Sequence, residues 1–344
     1  MKFKAAILYK SKHDLVVDHI MIKDKLKWGQ VLIKINYSGI CGSQVNEIDA
    51  VRGPDKFLPH LLGHEGSGEV VEVGPGVKRM KVGDEVILHW RKGVGIESET
   101  PKYYCRNKII NAGWVTTFNE FAIVSENRLT VFDKTKISPI EATLLGCAIT
   151  TAFGVINNDL NLNIGESILV IGLGGVGLNM VQGAKLAGAH PIIGLEKKKS
   201  KLDLAKKIGL DFGSTNLAAL KKIINNRLLD GKVDKSVETT GITDLIEAAY
   251  ELTSNSGKTI CVGIPKKQFK AKIDTFPLHF EKEISGSHGG SSNPSYVIPR
   301  YINLFHKKKI NIKKQILNKF SLDNINIAIK NFRLGSLGRI VIKF

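Results

Sequence analysis

Hydrophobic and polar positions follow two different rhythms along the 344 residues. Up to about residue 135 the apolar runs are short, alternate with polar positions and break at Gly, Pro and Asp, as in "GSGEVVEVGPGVKRMKVGDEVIL" and "FNEFAIVSENRLTVF". Alternation with period two between turn residues predicts β-strands joined by tight turns, and so a β-rich N-terminal part. The rhythm changes near residue 140. Compact apolar strands are predicted at 167–171, 190–195, 233–238, 257–264 and 282–287, separated by stretches of helical period such as "SKLDLAKKIG", "LAALKKIINNRLL" and "TDLIEAAYEL". Strands alternating with helices predict a parallel sheet covered on both faces. From about residue 290 two further helices ("YVIPRYINLFHKK", "LDNINIAIKNFRLG") lead to a last strand, "GRIVIKF". The length exceeds one ordinary core and fits two domains.

Composition narrows the class. Hydrophobic residues at 43% and charged residues at 24% are those of a soluble globular protein. The N-terminal "MKFKAAILYKSKHDL" has an apolar run of only five residues between lysines, too short for a secretory signal. The uncharged run "SILVIGLGGVGLNMVQGA", residues 167 to 184, approaches the length of a membrane span, but its five glycines, Asn179 and Gln182 read as strand, turn and helix start. Four cysteines, Cys41, Cys105, Cys147 and Cys261, lie far apart. This predicts reduced thiols and a cytoplasmic protein, with no disulfide framework and no membrane partner. The net charge of +18 raises nucleic-acid binding. Lysine far outnumbers arginine, however, and spreads along the whole chain. There is no arginine-rich arm, zinc-finger spacing or aromatic stacking pattern, so no nucleic-acid partner is expected. A basic surface still favours the approach of an anionic small substrate.

Candidate chemistry begins with "ESILVIGLGGVGLNMVQGAKLAG", which contains Gly172, Gly174, Gly175 and Gly177. This GxGxxG follows an apolar strand and opens a helix, the context that a dinucleotide-binding loop requires. The first glycine permits the tight turn, the second lets backbone approach a pyrophosphate, and the third allows close packing of helix on strand. The helix N-terminus then offers unpaired N–H groups to the phosphates. Glu196, 24 residues after Gly172, ends the next strand, where an acid accepts hydrogen bonds from the adenosine ribose. That favours NAD over NADP, although Lys197, Lys198 and Lys199 offer charge for a 2′-phosphate.

A second set of residues suits a metal. Cys41 opens "CGSQVN", with Ser43 two residues on. Alone, Cys41 reads as a small buried hydrophobe. Downstream, "HLLGHEGSGEV" supplies His60, His64 and Glu65, and "LLGCAITTAFG" supplies Cys147. Cys41, His64 and Cys147 form a soft donor set suited to tetrahedral zinc with one open position, though spacing by itself does not select them.

The motifs "CGS" at 41–43, "GHEGSGEVVEVGPGV" at 63–77, "GDEV" at 83–86, "LLGCAITTAFG" at 144–154 and "GLGGVG" at 172–177 stand together in one order. Through them the chain resembles the zinc-dependent alcohol dehydrogenases of the medium-chain dehydrogenase/reductase family, from the first strand to the last residues. The resemblance implies an α/β fold. A GroES-like β-rich catalytic domain would take 1–148 and 289–344, and a Rossmann domain, a doubly wound parallel sheet, would take 149–288. It implies Cys41, His64 and Cys147 as ligands of a catalytic zinc, with Glu65 as a supporting or exchangeable partner. Ser43 would bond the substrate hydroxyl and take its proton. Zinc as a Lewis acid lowers the alcohol's pKa, so that hydride can leave for the nicotinamide. Val176, Thr151, Val262 and Ile264 match positions lining the nicotinamide, and Arg339 matches a pyrophosphate contact. Lys201 joins the glycines and Glu196 among the expected cofactor contacts. A homo-oligomer, dimer or tetramer, is expected as well.

Three departures qualify the resemblance. Many relatives hold a structural zinc with four close cysteines after the "GDEV" strand; here "HWRKGVGIESETPKYYCRNKIINAGW" has Cys105 alone, so one zinc is expected and no structural one. Asn46 stands where many relatives place a histidine that passes the substrate's proton outward, and Asn does not titrate in that range. Gln44 stands where an Asp often supports the histidine ligand. Trp90 matches a substrate-channel position. Arg52, and Arg91 with Lys92 beside Trp90, are either solvated loop charges or a recognition site for an anionic sugar or polyol. The reading is an NAD- and zinc-dependent oxidoreductase of a secondary alcohol, polyol or sugar-type substrate, with an anionic one among the options. The alternative is a family member that binds nucleotide with little turnover and acts as a binding or regulatory protein.

Overall fold

Period-two patterning in the N-terminal part produces a barrel and a sheet. Lys2–Leu8, Val16–Met21, Lys102–Cys105, Lys108–Asn111 and His60–Leu61 close the barrel in that order. Phe3, Ile7, Ile20, Tyr103, Cys105 and Ile110 fill it as one apolar cluster. The sheet has seven strands. Its path runs Leu129–Val131, Glu85–His89, Glu65–Val73, Gln30–Gly39, Arg339–Lys343 and Ile316–Ser321, with Phe121–Ser125 also paired to Gln30–Gly39. The computed structural model describes residues 1–344, which form two units: Met1–Cys147 with Asn293–Phe344, and Ala148–Ser292. The last strand of the chain joins the first unit because Val341 pairs antiparallel with Gly39.

The second unit is a six-stranded sheet in the order Phe212–Ser214, Ile192–Leu195, Ile168–Ile171, Val233–Glu238, Thr253–Cys261, Glu283–Gly286, with every neighbouring pair parallel. Numbered by position in the unit, this is the 3-2-1-4-5-6 order of the doubly wound Rossmann fold. Ile168–Ile171 and Ile192–Leu195 bury every side chain, as strands of a sheet with two covered faces must. Leu169, Ile171 and Ile193 pack with Leu220 and Ile224 of the helix Leu217–Arg227 and with Ala249 and Leu252 of Thr243–Leu252. The chain is therefore α/β, a β-rich unit plus a Rossmann unit.

The end of one strand departs from what periodicity predicts, while the glycine-rich run at 167–184 follows its reading as strand, turn and helix start. The strand predicted to reach residue 264 ends at Cys261, because the Val262 and Gly263 N–H groups both turn onto the Glu238 carbonyl, 2.8 and 3.1 Å away. The uncharged run at 167–184 divides into the strand Ile168–Ile171 and the helix Gly175–Ala187, and no single helix is long and apolar enough to cross a membrane. Cys105 sits in the barrel core, its Sγ 3.6 Å from an Asp18 oxygen.

Candidate active site

Three separate elements bring the sulfur and imidazole groups together. Cys41 is the residue before the short helix Gly42–Ile48, His64 precedes the strand Glu65–Val73, and Cys147 lies at the break between Thr143–Gly146 and Ala148–Gly154. One ligand atom from each of Cys41, His64 and Cys147 lies within 4.8 Å of the others. The Cys147 thiol, hydrogen-bonded to the Cys41 sulfur, holds the Cys41 pKa well below the usual thiol range; His64 and Arg339 add to this against the effect of burial. A thiolate is the form that binds a soft metal.

The His64 ring shows which nitrogen is available. Its Nδ1 meets the side-chain amide of Gln44, while its Nε2 is buried without a hydrogen-bond partner, as is the Gln44 Oε1. An amide can present either its oxygen or its nitrogen to a neighbour. With the Gln44 oxygen accepting from Nδ1–H, the amide's orphan disappears and the Nε2 lone pair is left for a cation held with the two thiolates. The donor chemistry therefore fits zinc, with Gln44 orienting the ring.

Behind the ligands lies a buried ion pair that spacing did not reveal. Glu65 is fully buried and pairs with Arg339, which is only 4% exposed. Arg339 also hydrogen-bonds the Cys41 sulfur. Expected on a pyrophosphate, it makes these contacts beside the thiols. Glu65 fits because Gly39 and Gly146 lack side chains: a Cβ on Gly39 would meet its carboxylate, and one on Gly146 would meet the Leu88 carbonyl and the Glu65 backbone. The Ser43 Oγ lies 3.4 Å from the Cys41 Sγ.

A cavity of about 500 Å³ opens against this site. Its lining includes His64, Gln44, Trp90, Trp114, Phe57 and Glu47, with no lysine or arginine among the residues that form it. Arg52 is exposed and outside the lining, and Arg91 lies over the Trp90 ring at 5.9 Å. His60, a candidate in the sequence, stands apart from the thiols. Its Nε2 is 2.6 Å from Asp55 and 3.8 Å from Glu47, and its Nδ1 is 2.9 Å from the Leu61 carbonyl. Partial burial raises the Glu47 pKa, with Asp55 acting in the same sense and His60 and His64 against it. His89, fully buried before Trp90, bonds Thr130 and the Arg91 carbonyl, and burial pushes its pKa down to about 4.

In the α/β unit the glycine loop has room on one side only. Gly172 has φ +87°, a conformation that L side chains rarely adopt. A Cβ on Gly177 would strike the Gly172 carbonyl, whereas one on Gly174 would meet nothing within 4 Å. Gly175 and Val176 begin the helix Gly175–Ala187. The open space at Gly174 before a helix N-terminus fits a dinucleotide pyrophosphate. Glu196 accepts from the Leu173 and Lys198 N–H groups, each at 3.0 Å, so its carboxylate is held at the loop. Val262 and Ile264 follow the strand Thr253–Cys261 at the same carboxyl edge of the sheet, Thr151 lies in the buried helix Ala148–Gly154, and Lys201 lies in Lys199–Lys206. The sequence reading missed the turn that buttresses this loop. Thr239 donates to the Gly172 carbonyl at 2.9 Å, and buried Glu238 accepts from the Gly241 N–H at 2.9 Å. Its signal is "ETTG", an acid followed by hydroxyls and a glycine at a strand end.

Comparison with known proteins agrees with this architecture. A family model described as an alcohol dehydrogenase GroES-like domain matches residues 27–134, and one described as a zinc-binding dehydrogenase matches 175–307. The chain is 29% identical over 372 aligned positions to an alcohol dehydrogenase class-3 of Drosophila melanogaster, covering 99% of this chain and 97% of that one. A benzyl alcohol dehydrogenase from Acinetobacter calcoaceticus superposes with a TM-score of 0.87 at 27% identity, over 100% of this chain and 99% of the other. A 2R,3R-butanediol dehydrogenase from Bacillus subtilis gives 0.79 at 25% identity, over 99% of both. The chain belongs to the zinc-dependent alcohol dehydrogenases of the medium-chain dehydrogenase/reductase family. It is an oxidoreductase of that class.

Proposed function

We propose that this protein oxidises a neutral alcohol or diol with zinc and NAD, or reduces the corresponding carbonyl compound. The observation that carries the reading is the buried, unpartnered Nε2 of His64 beside two thiols, at the wall of a cavity of about 500 Å³. Cys41, His64 and Cys147 would hold the metal, and the α/β unit's glycine loop the cofactor. When bound by these residues, zinc would supply Lewis acidity toward an alcohol oxygen and the nicotinamide cofactor would supply the hydride acceptor. Ser43 takes the substrate's proton. Gln44 fixes the His64 ring, and Arg339, paired with Glu65, stabilises the Cys41 thiolate from behind.

The cavity wall supports a neutral substrate over an anionic one. It carries the Glu47 carboxylate and aromatic faces but no lysine or arginine, so an anion would meet a carboxylate and no guanidinium or ammonium group to pair with. Two structural relatives are described as acting on neutral hydroxyl compounds, benzyl alcohol and a butanediol. The Glu196 carboxylate at the loop supports NAD, since a 2′-phosphate would face its charge.

The test is a panel of neutral alcohols, diols and their phosphorylated or carboxylated analogues, each with NAD and with NADP, followed by NADH absorbance and zinc analysis. Turnover of a neutral member with NAD is expected. A best substrate that is anionic, or tighter binding of NADPH than of NADH, would overturn the corresponding part. Bound zinc and NADH without turnover of any alcohol or carbonyl compound would favour a binding protein.

A further inference from the structure

We propose that Glu47 is the outlet for the substrate's hydroxyl proton, held in place by the His60–Asp55 pair. This inference rests on the dehydrogenase reading above. Ser43 can accept a proton only by passing its own onward, and Asn46 has no titratable group to receive it. Glu47 lies four residues after Ser43 in the helix Gly42–Ile48, so the two side chains share one helix face a turn apart. Glu47 lines the cavity that His64 also lines, and its side chain is 48% exposed, which gives it both a dry and a wet side. Behind it, the His60 side chain is only 6% exposed and its Nε2 stands 3.8 Å from Glu47 Oε1. The Asp55 carboxylate at 2.6 Å and the Leu61 carbonyl at 2.9 Å fix that ring through its two nitrogens. A buried imidazole anchored at both ends is a rigid fixture against which a half-exposed glutamate can be oriented.

The step transfers a proton alone. The substrate O–H bond breaks as an O–H bond forms on Ser43 Oγ. The original Ser43 proton moves through a bridging water to a Glu47 carboxylate oxygen, and Glu47 then releases it to bulk water. The electrons leave with the hydride that the dehydrogenase reaction itself removes. The charged groups that act on Glu47 are His60, Asp55 and His64; on its own helix Gln44 and Asn46 carry no charge. His60 and Asp55 are positioning residues, because they act through Glu47.

Glu47→Gln keeps the shape of a half-exposed side chain and removes its base. In the zinc-loaded enzyme, alcohol oxidation at neutral pH should lose about tenfold to a hundredfold in kcat with KM unchanged. The acid limb of the kcat–pH profile that Glu47 sets should vanish. Added formate should restore the rate in proportion to its concentration, and Glu47→Asp should restore part of it. A readout independent of turnover is the Glu47 carboxyl carbon resonance in metal-free protein. It should titrate above the usual glutamate range, and higher still in His60→Ala, where the opposing charge is gone. A kcat within twofold of wild type, with an unchanged pH profile and active wild-type enzyme, would overturn the relay alone. Wild-type enzyme that turns over no alcohol or carbonyl compound would overturn the relay together with the function it serves.

Discussion

At the scale of single residues, the site depends on charges that are buried and matched. Glu65 and Arg339 are both almost wholly removed from water, and each compensates the other's buried charge, with the Cys41 sulfur as a second partner of Arg339. Replacing one partner of such a pair leaves an uncompensated buried charge, at a cost of about 3–5 kcal/mol. Glu65→Gln should therefore lower the urea midpoint strongly, whereas a wild-type-like midpoint would show that Arg339 finds another partner. His89 gives a pH dependence with a definite sign. Its folded pKa is about 4 against a usual 6.5. Between those values the unfolded chain holds the extra proton, so stability falls as pH drops from about 6.5 to about 4, by about 3 kcal/mol in all. Urea unfolding across that range should show the slope in wild type and a reduced slope in His89→Gln.

At the scale of elements, the two domains use glycine for different ends. Around Glu65, Gly39 and Gly146 leave a slot for a carboxylate between strand and short helix. In the cofactor loop, Gly177 serves packing and Gly174 leaves space unfilled. A pair of substitutions separates the two roles. Gly177→Ala forces a methyl into the Gly172 carbonyl and should destabilise the α/β unit by about 1–3 kcal/mol. Gly174→Ala meets no atom and has a negative φ of −75°, so the melting temperature should hold. NADH affinity, read by fluorescence titration, should nevertheless drop at least tenfold, because the methyl takes the pyrophosphate's place. Unchanged NADH binding in Gly174→Ala would mean that the loop is only a packing turn.

At the scale of the whole molecule, two units each carry their own apolar core, and the thiol–imidazole set is not what holds either together. Removing metal with a chelator should abolish turnover while far-UV circular dichroism stays native, and added zinc should restore activity. Loss of the fold on chelation would assign the metal a structural role. The charge of +18 belongs to this scale as well. It is not repeated at the cavity, which contains no lysine or arginine, so the net charge acts on solubility and long-range approach rather than on the bound substrate.

Much of this protein could be read directly from its sequence. Alternation with period two marked the β-rich part, helical periods between apolar strands marked the parallel sheet, and "GLGGVG" after a strand marked the tight turn that opens the helix Gly175–Ala187. These signals are local: they depend on which way successive side chains point and on what a tight turn allows. The thiols and His64 were visible as residue types whose chemistry suits a metal. Other features required the folded chain. Arg339 meets Glu65 only because the last strand returns to pair beside Gln30–Gly39. His60 meets Asp55 and Glu47 through the course of a loop that no periodicity encodes. The loop arginines that the sequence suggested for an anionic substrate lie outside the cavity lining, because packing, not spacing, selects which side chains form its wall. Which nitrogen of His64 is left open was likewise decided by tertiary structure, since the hydrogen bond between Gln44 and Nδ1 leaves only Nε2 available to a cation.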